Sequence, residues 1–177
     1  MKTQPASEYA LLGALMTQPR HGYEIWSFLE KGLGPTWHIP TSQLYAQLKR
    51  LEERGHLYSS LEAQDNRPSR RVFEITDKGR EAFLSWVLSP ARHVRDLRVE
   101  FLAKLFFIRK LELDGSRLIQ EQSRVLDETL SRLETLLEQE KDSHRRLTAG
   151  FKRATAEAWQ RWLQQEARPF VKEIKQT

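Results

Sequence analysis

A mainly α-helical chain with one small β-hairpin is the fold class this sequence predicts, and three observations carry that reading. Leucines recur at helical spacing in both halves of the chain. Alternation of apolar and polar residues is confined to the stretch around residues 56–75. After Ser89-Pro90 the glycines thin to Gly115 and Gly150 and strand-like segments disappear. The 177 residues fit one domain or two small ones at about 150 residues each. The change in texture near residue 90 divides them into a mixed first part, residues 1–90, and an all-helical second part, residues 91–177.

The elements follow in order. Tyr9, Leu11, Leu12, Leu15 and Met16 give a first helix a broad apolar face, and Pro19 breaks it. Gly22 to Glu30 forms a second helix, with Ile25, Phe28 and Leu29 at i, i+3 and i+4, ended by Gly32, Gly34 and Pro35. In the third, Leu44, Leu48 and Leu51 fall at i, i+4 and i+7 and therefore on one face. Pro40 is excluded from its interior, Thr41 behind it is a plausible N-cap, and Gly55 suits the left-handed position that ends a helix. With the leucines inward, Ser42, Gln43, Ala46, Gln47, Lys49, Arg50 and Glu53 are expected to point outward. From His56 to Gln64, Leu57, Ser59 and Leu61 alternate with Tyr58, Ser60 and Glu62, as in a strand with one buried face. Asp65, Asn66 and Pro68 are turn formers, and Val72, Phe73 and Ile75 read as the returning strand before a Thr-started helix.

Helix, strand, basic turn and strand in that order read as a recognition helix followed by a wing, hence a winged helix-turn-helix domain. On that reading Ser42, Gln43 and Gln47 reach base edges and Lys49 and Arg50 reach phosphates, with Thr41 at the start of the same helix. Tyr23 and Tyr45 serve as phosphate contacts or as helix-packing anchors. Arg67, Arg70 and Arg71 gain nothing for folding by being adjacent, whereas neutralising phosphates releases counterions. A solvated amphipathic helix and a solubilising loop fit the same residue types, and both stand as alternatives.

Charge sharpens the expectation. The chain carries a net +5, but residues 1–90 hold 11 Lys and Arg against 10 Asp and Glu, and residues 91–177 hold 18 against 14. The DNA-reading half is not globally basic, so its electrostatic footprint must be local, with moderate affinity and a clear salt dependence. There is no cysteine, which excludes disulfides, thiolate nucleophiles and Cys-ligated zinc. No apolar signal-type segment follows Lys2 and no run of about 18 apolar residues occurs, so a cytoplasmic location is expected. His21, His38, His56, His93 and His144 are scattered without an HExxH or HxH pair, and no G-x-S-x-G, P-loop or GxGxxG motif is present. Neither an enzyme nor a metal or other cofactor is expected.

The second part reads as long amphipathic helices. Phe101, Leu102, Leu105, Phe106 and Ile108 make one strongly apolar helix, and Asp114 or Ser116 starts the next. Ile119, Leu126, Leu130, Leu133 and Leu137 form a coiled-coil-like seam. A last helix from about Thr148 carries Phe151, Trp159, Trp162, Leu163 and Phe170 and ends near Pro169. Such stripes call for a partner surface. An isologous homodimer through Phe101, Leu105, the seam, Trp159 and Trp162 would supply one and would present two recognition helices to a palindromic operator, at half-sites about 34–36 Å apart. A monomer with its helices folded back is the alternative.

These residues match a known family. His21-Gly22-Tyr23-Glu24, the LY-x-x-LKRLE-x-x-G pattern from Leu44 to Gly55, and the IT-x-KG-R run from Ile75 to Arg80 closely resemble the DNA-binding domain of PadR-type transcriptional regulators. The resemblance spans nearly all of the first 90 residues. It continues more weakly through LRVEFLAKLFFIRKL and AWQRWLQQEARPF, which look like the longer PadR subfamily with a C-terminal dimerisation region. That subfamily often has an acidic residue before the position of Glu100, where this chain has Val99. The resemblance also implies a small aromatic effector, since some PadR-type relatives sense such molecules. Trp37, His38, Trp86 and Trp159 are the candidate contacts, between the two parts or at the dimer interface, with plain core and interface packing as the alternative role. The expectation is a homodimeric repressor of double-stranded DNA; a winged-helix adaptor that docks proteins without specific DNA binding is the rival.

Overall fold

The computed structural model describes residues 5–64 and 67–173, and of residues 63, 64, 67 and 68 the backbone alone. The chain forms two compact units, Met1–Val87 and Leu88–Thr177.

The first unit follows the expected order with one addition. Helix α1 (Ala6–Ala14), strand β1 (Arg20–His21), helices α2 (Gly22–Leu33) and α3 (Thr41–Glu53), strands β2 (Leu57–Gln64) and β3 (Arg67–Ile75) and helix α4 (Asp77–Val87) succeed one another. The two-residue β1 is the addition: Arg20 pairs with Phe73 and His21 with Val72, which makes an antiparallel sheet of order β1-β3-β2. Leu11, Leu12, Ile25, Leu44, Leu48, Leu51, Leu57 and Phe83 are fully buried at its centre. Tyr9 stacks on Trp86 at 5.1 Å.

Several local expectations are corrected. Thr41 does not cap α3; it is the first helical residue, because the extended Pro40 (ψ 139°) already aims its carbonyl at the N–H of Leu44. Gly32 does not stop α2, which runs to Leu33. The basic residues placed in a turn belong to strand: Arg67, Arg70 and Arg71 lie on β3, opposite Gln64, Glu62 and Leu61. The turn residues Asp65 and Asn66 lie outside the described residues. Leu61, expected on the buried face, is 75% exposed. The same-face Leu57, near the hairpin base, is buried, so the core covers that face only there. Gly55 does adopt the left-handed conformation, φ 72°, and Thr76 starts α4 by accepting from the N–H of Gly79.

The second unit is all helical. A 3-10 turn (Val94–Asp96) and a π-helical turn (Leu97–Phe101) lead into α5 (Leu102–Lys110). Helices α6 (Ser116–Gln139) and α7 (Ser143–Trp162), a second π-helical turn (Leu163–Ala167) and α8 (Arg168–Glu173) follow. The last long helix starts five residues before the expected Thr148, because Asp142 caps it by accepting from the N–H of Arg145. Pro169 does not end the helical run; it is the second residue of α8, directly after the second π-helical turn. Helices α6 and α7 run antiparallel, fastened by Gln160 donating to Ser123 and Asp127 and by Arg146 donating to the carbonyl of Leu137. Ala149 and Ala156, two turns apart and buried, are the small residues on the inner face of α7.

Two buried polar side chains hold the first residues of this unit. The Gln122 amide accepts from the N–H of Ala91 and donates to its carbonyl, at 2.8 and 3.1 Å. Lys104, with no solvent exposure, donates to the carbonyl of Ser89 at 2.7 Å and pairs with Glu100 at 2.6 Å. Glu100 therefore has an ion-pair partner one helical turn on, with Val99 beside it. Burial lowers the Lys104 pKa below its ordinary 10.5, against the opposing pull of Glu100.

Candidate nucleic-acid interface

The outer face of α3 is the centre of the site. Thr41, Ser42, Gln43, Tyr45, Ala46 and Lys49 are exposed while Leu44, Leu48 and Leu51 are buried, so the leucine stripe sets which residues face out. Lys49 makes only a loose, exposed pair with Glu53 at 3.9 Å. Gln47 departs from expectation. It is 6% exposed, and its Oε1 has no hydrogen-bond partner, so it belongs to the inner flank of the helix and not to the face that presents Ser42 and Gln43.

The arginines divide by partner. Arg50 donates from Nε to Glu8 at 2.9 Å, and Arg54 from Nη1 to the other carboxylate oxygen at 2.7 Å. Arg71 donates to Glu52 at 2.6 Å and to Ser59 at 2.7 Å, with its guanidinium 5.4 Å from the centre of the Phe73 ring, which pins the hairpin to α3. Arg70 is exposed and has no ion pair among the described residues. The side chain of Arg67 lies outside the described residues.

Helix α2 meets α3 at the mouth of this surface. The Cβ of any larger residue at Gly22 would come within 2.6 Å of the Tyr45 ring, so glycine there is what lets the ring lie across the start of α2. Glu24 accepts from the backbone N–H of His21, an N-terminal capping interaction. The His21 ring lies 3.4 Å from both the carbonyl of Arg71 and the carboxylate of Glu62, so it touches both wing strands. Tyr23 and Tyr45, 69% and 53% exposed, flank a cleft of about 350 Å³ whose other walls include Arg70, Arg71 and Phe73. A structural role for His21 beside Gly22 is legible in the His-Gly-Tyr-Glu run, whereas nothing local marks the Glu8 clamp. On the far side of α3, His56 is half-buried with its Nδ1 unpartnered, and burial, then Lys78 and Arg54, lower its pKa from 6.5.

The other expected sites fall as follows. Trp86 is buried against Tyr9 and Phe83. Trp37 is half-buried in a closed crevice with Trp26, Leu33 and Leu44, and exposed His38 bonds to Glu30 at 2.8 Å. In the second unit Trp159 meets Trp162 edge-on at 5.2 Å, and both line a shallow cleft of about 310 Å³ with Leu102. Phe101, Leu105, Ile119 and Leu126 are buried within that unit's own core, whereas Leu130, Leu133 and Leu137 are half-buried as the cover over α6 thins. Among the described residues no group of three or more His, Cys, Asp or Glu could hold a metal ion, and no helix is long and apolar enough to cross a membrane.

Three helices, a sheet completed by a short strand after α1, and a hairpin pinned beside an exposed polar helix face define a winged helix-turn-helix domain. Residues 11–85 match the Transcriptional regulator PadR-like family. The Negative transcriptional regulator PadR of Bacillus subtilis (strain 168) is 28% identical over 128 residues, 72% of this chain and 70% of that one. Residues 11–85 of the first unit therefore carry the domain of the PadR-like family of transcriptional regulators. Among solved structures, B. subtilis PadR in complex with operator DNA is 24% identical with a TM-score of 0.48, covering 89% of this chain and 96% of that one. The same regulator with p-coumaric acid is 23% identical with a TM-score of 0.43, covering 97% and 99%.

Proposed function

We propose that this chain is a homodimeric repressor that binds a palindromic operator in double-stranded DNA. The observation that carries it is the outer face of α3: Ser42, Gln43, Ala46 and Lys49 are exposed on one helix, with Tyr23, Tyr45 and Arg70 around its wing-side edge. Ser42 and Gln43 offer hydrogen bonds to base edges in the major groove, and Lys49, Arg70, Arg67 and the two tyrosine hydroxyls address phosphates. Arg71 acts by holding the hairpin in place. The repressive sense follows the name of the B. subtilis relative.

Dimerisation rests on the second unit, where Leu136, Leu147 and Phe151 are 45%, 73% and 73% exposed and the seam residues Leu130, Leu133 and Leu137 are only half covered. Two copies joined there would set two α3 helices on successive major grooves. An aromatic effector would act on the spacing of those helices. With Trp86 packed, Trp37 in a closed crevice and exposed His38 bonded to Glu30, Trp159 beside Trp162 is the candidate contact that lines an open cleft. p-Coumaric acid is the first compound to titrate, followed by quenching of Trp fluorescence.

The test is fluorescence anisotropy on the DNA upstream of the chain's own gene, with excess nonspecific competitor and several salt concentrations. Saturable binding at two chains per site that survives competitor supports the reading. Binding that competitor abolishes at every salt concentration removes it.

A further inference from the structure

On the reading that α3 enters a DNA groove, we propose that Glu8 is a positioning residue that sets Arg50 and Arg54 as the phosphate-contacting edge of α3 on the side opposite the wing. At 3.6 residues per turn, Ser42, Ala46, Lys49 and Glu53 share the outer face of α3. Tyr45 and Glu52 flank that face on one side, where Tyr45 lies over Gly22 and Glu52 holds wing residue Arg71. Arg50 and Arg54 flank it on the other, one turn apart, and both reach the single carboxylate of Glu8 on α1. A groove has a phosphate strand along each wall. The wing addresses one, and the arginine pair is placed for the other.

The arrangement is built as an anchor and not as a neutralised pair. Glu8 is 1% exposed, whereas Arg50 and Arg54 are 43% and 44% exposed. Each guanidinium gives one nitrogen to Glu8 and keeps the rest of its fork of donors turned outward, so the triad carries a net positive charge with a fixed direction. Stability alone does not call for an acid at this position. Its helix neighbours Ala10, Leu11, Leu12 and Ala14 are apolar and buried, and replacing a buried ion network by apolar groups is often neutral or stabilising. What the carboxylate adds is restraint: two long side chains that would otherwise sample many rotamers are held before DNA arrives.

The test compares wild type, Glu8→Gln and Glu8→Met on a duplex selected by the wild-type protein from a random pool, and on a scrambled duplex. Melting curves confirm that each variant folds. Removing the carboxylate raises the positive charge beside α3 by one, so charge alone predicts tighter binding to both duplexes. Positioning predicts the opposite for the selected duplex: a loss on the order of tenfold, while the scrambled duplex binds as well or better. Either variant that folds suffices to read this. A folded variant that binds the selected duplex as tightly as wild type overturns the role of Glu8 alone. A wild-type protein that selects no duplex overturns the DNA reading and this proposal with it.

Discussion

The two units expose different kinds of large side chain. Among the described residues, three of the four most exposed large hydrophobic side chains of the first unit are tyrosines, Tyr23, Tyr45 and Tyr58, each ending in a hydroxyl. In the second they are Leu88, Leu136, Leu147 and Phe151, with no polar atom at the tip. A ring with a polar end suits a wet, charged partner such as a phosphate backbone, while a bare aliphatic or phenyl surface suits another apolar surface. The contrast agrees, independently of net charge, with the proposal that the first unit meets nucleic acid and the second a further copy of the chain.

The contrast presumes that each unit first completes its own core, which sets the largest expected effect. Phe83→Ala should cost about 3–5 kcal/mol in urea unfolding, because Phe83 is fully buried in the first unit. A loss below 1 kcal/mol would mean that this core is not the one described. Next comes the apolar face. Leu147→Glu with Phe151→Glu should weaken self-association by about 2–4 kcal/mol while far-UV circular dichroism is unchanged. Light scattering that still reports the wild-type mass would return the bare leucines to ordinary surface. Arg70→Ala should weaken every DNA sequence alike and flatten the salt slope by about one phosphate, and an unchanged slope would take Arg70 out of the interface. Tyr23→Phe and Tyr45→Phe should each cost about 0.5–1.5 kcal/mol of DNA affinity without changing the melting temperature; no loss for either would erase the distinction between tipped and bare rings.

The smallest effect concerns His56. Its folded-state pKa lies below 6.5, so the unfolded chain takes up a proton first as pH falls. Stability is then lost as pH drops through 6.5 towards the folded value. Melting temperatures of wild type and His56→Gln should converge as pH falls through that window. Parallel curves from pH 8 down would show that His56 does not titrate differently on folding.

The parts of the fold that show in the sequence are those where one segment decides its own geometry. The leucine spacing at 44, 48 and 51, the left-handed Gly55 and the hairpin after it are local facts, and the structure contains all three. The parts that do not show depend on distant partners. Arg50 looks like a solvent-facing cation on its own helix, and only Glu8, 42 residues earlier, claims it. Gln47 lies on the flank where periodicity is ambiguous, and the neighbouring packing decides that it is buried. Strand β1 is two residues long, too short for any alternation, and exists because β3 offers it an edge. Leu61 obeys the alternation of its strand yet stays exposed, since a period of two specifies a face but not whether anything covers it.

Lys104 has a practical use that follows from its burial. Among the described residues every other lysine is exposed. A brief pulse of acetic anhydride should therefore acylate those amines at once and reach Lys104 only in molecules whose second unit has opened. The mass added at that one residue becomes a count of opening events, read by peptide mass spectrometry on the untagged, unmutated protein, with the exposed lysines beside it as an internal clock for the reagent.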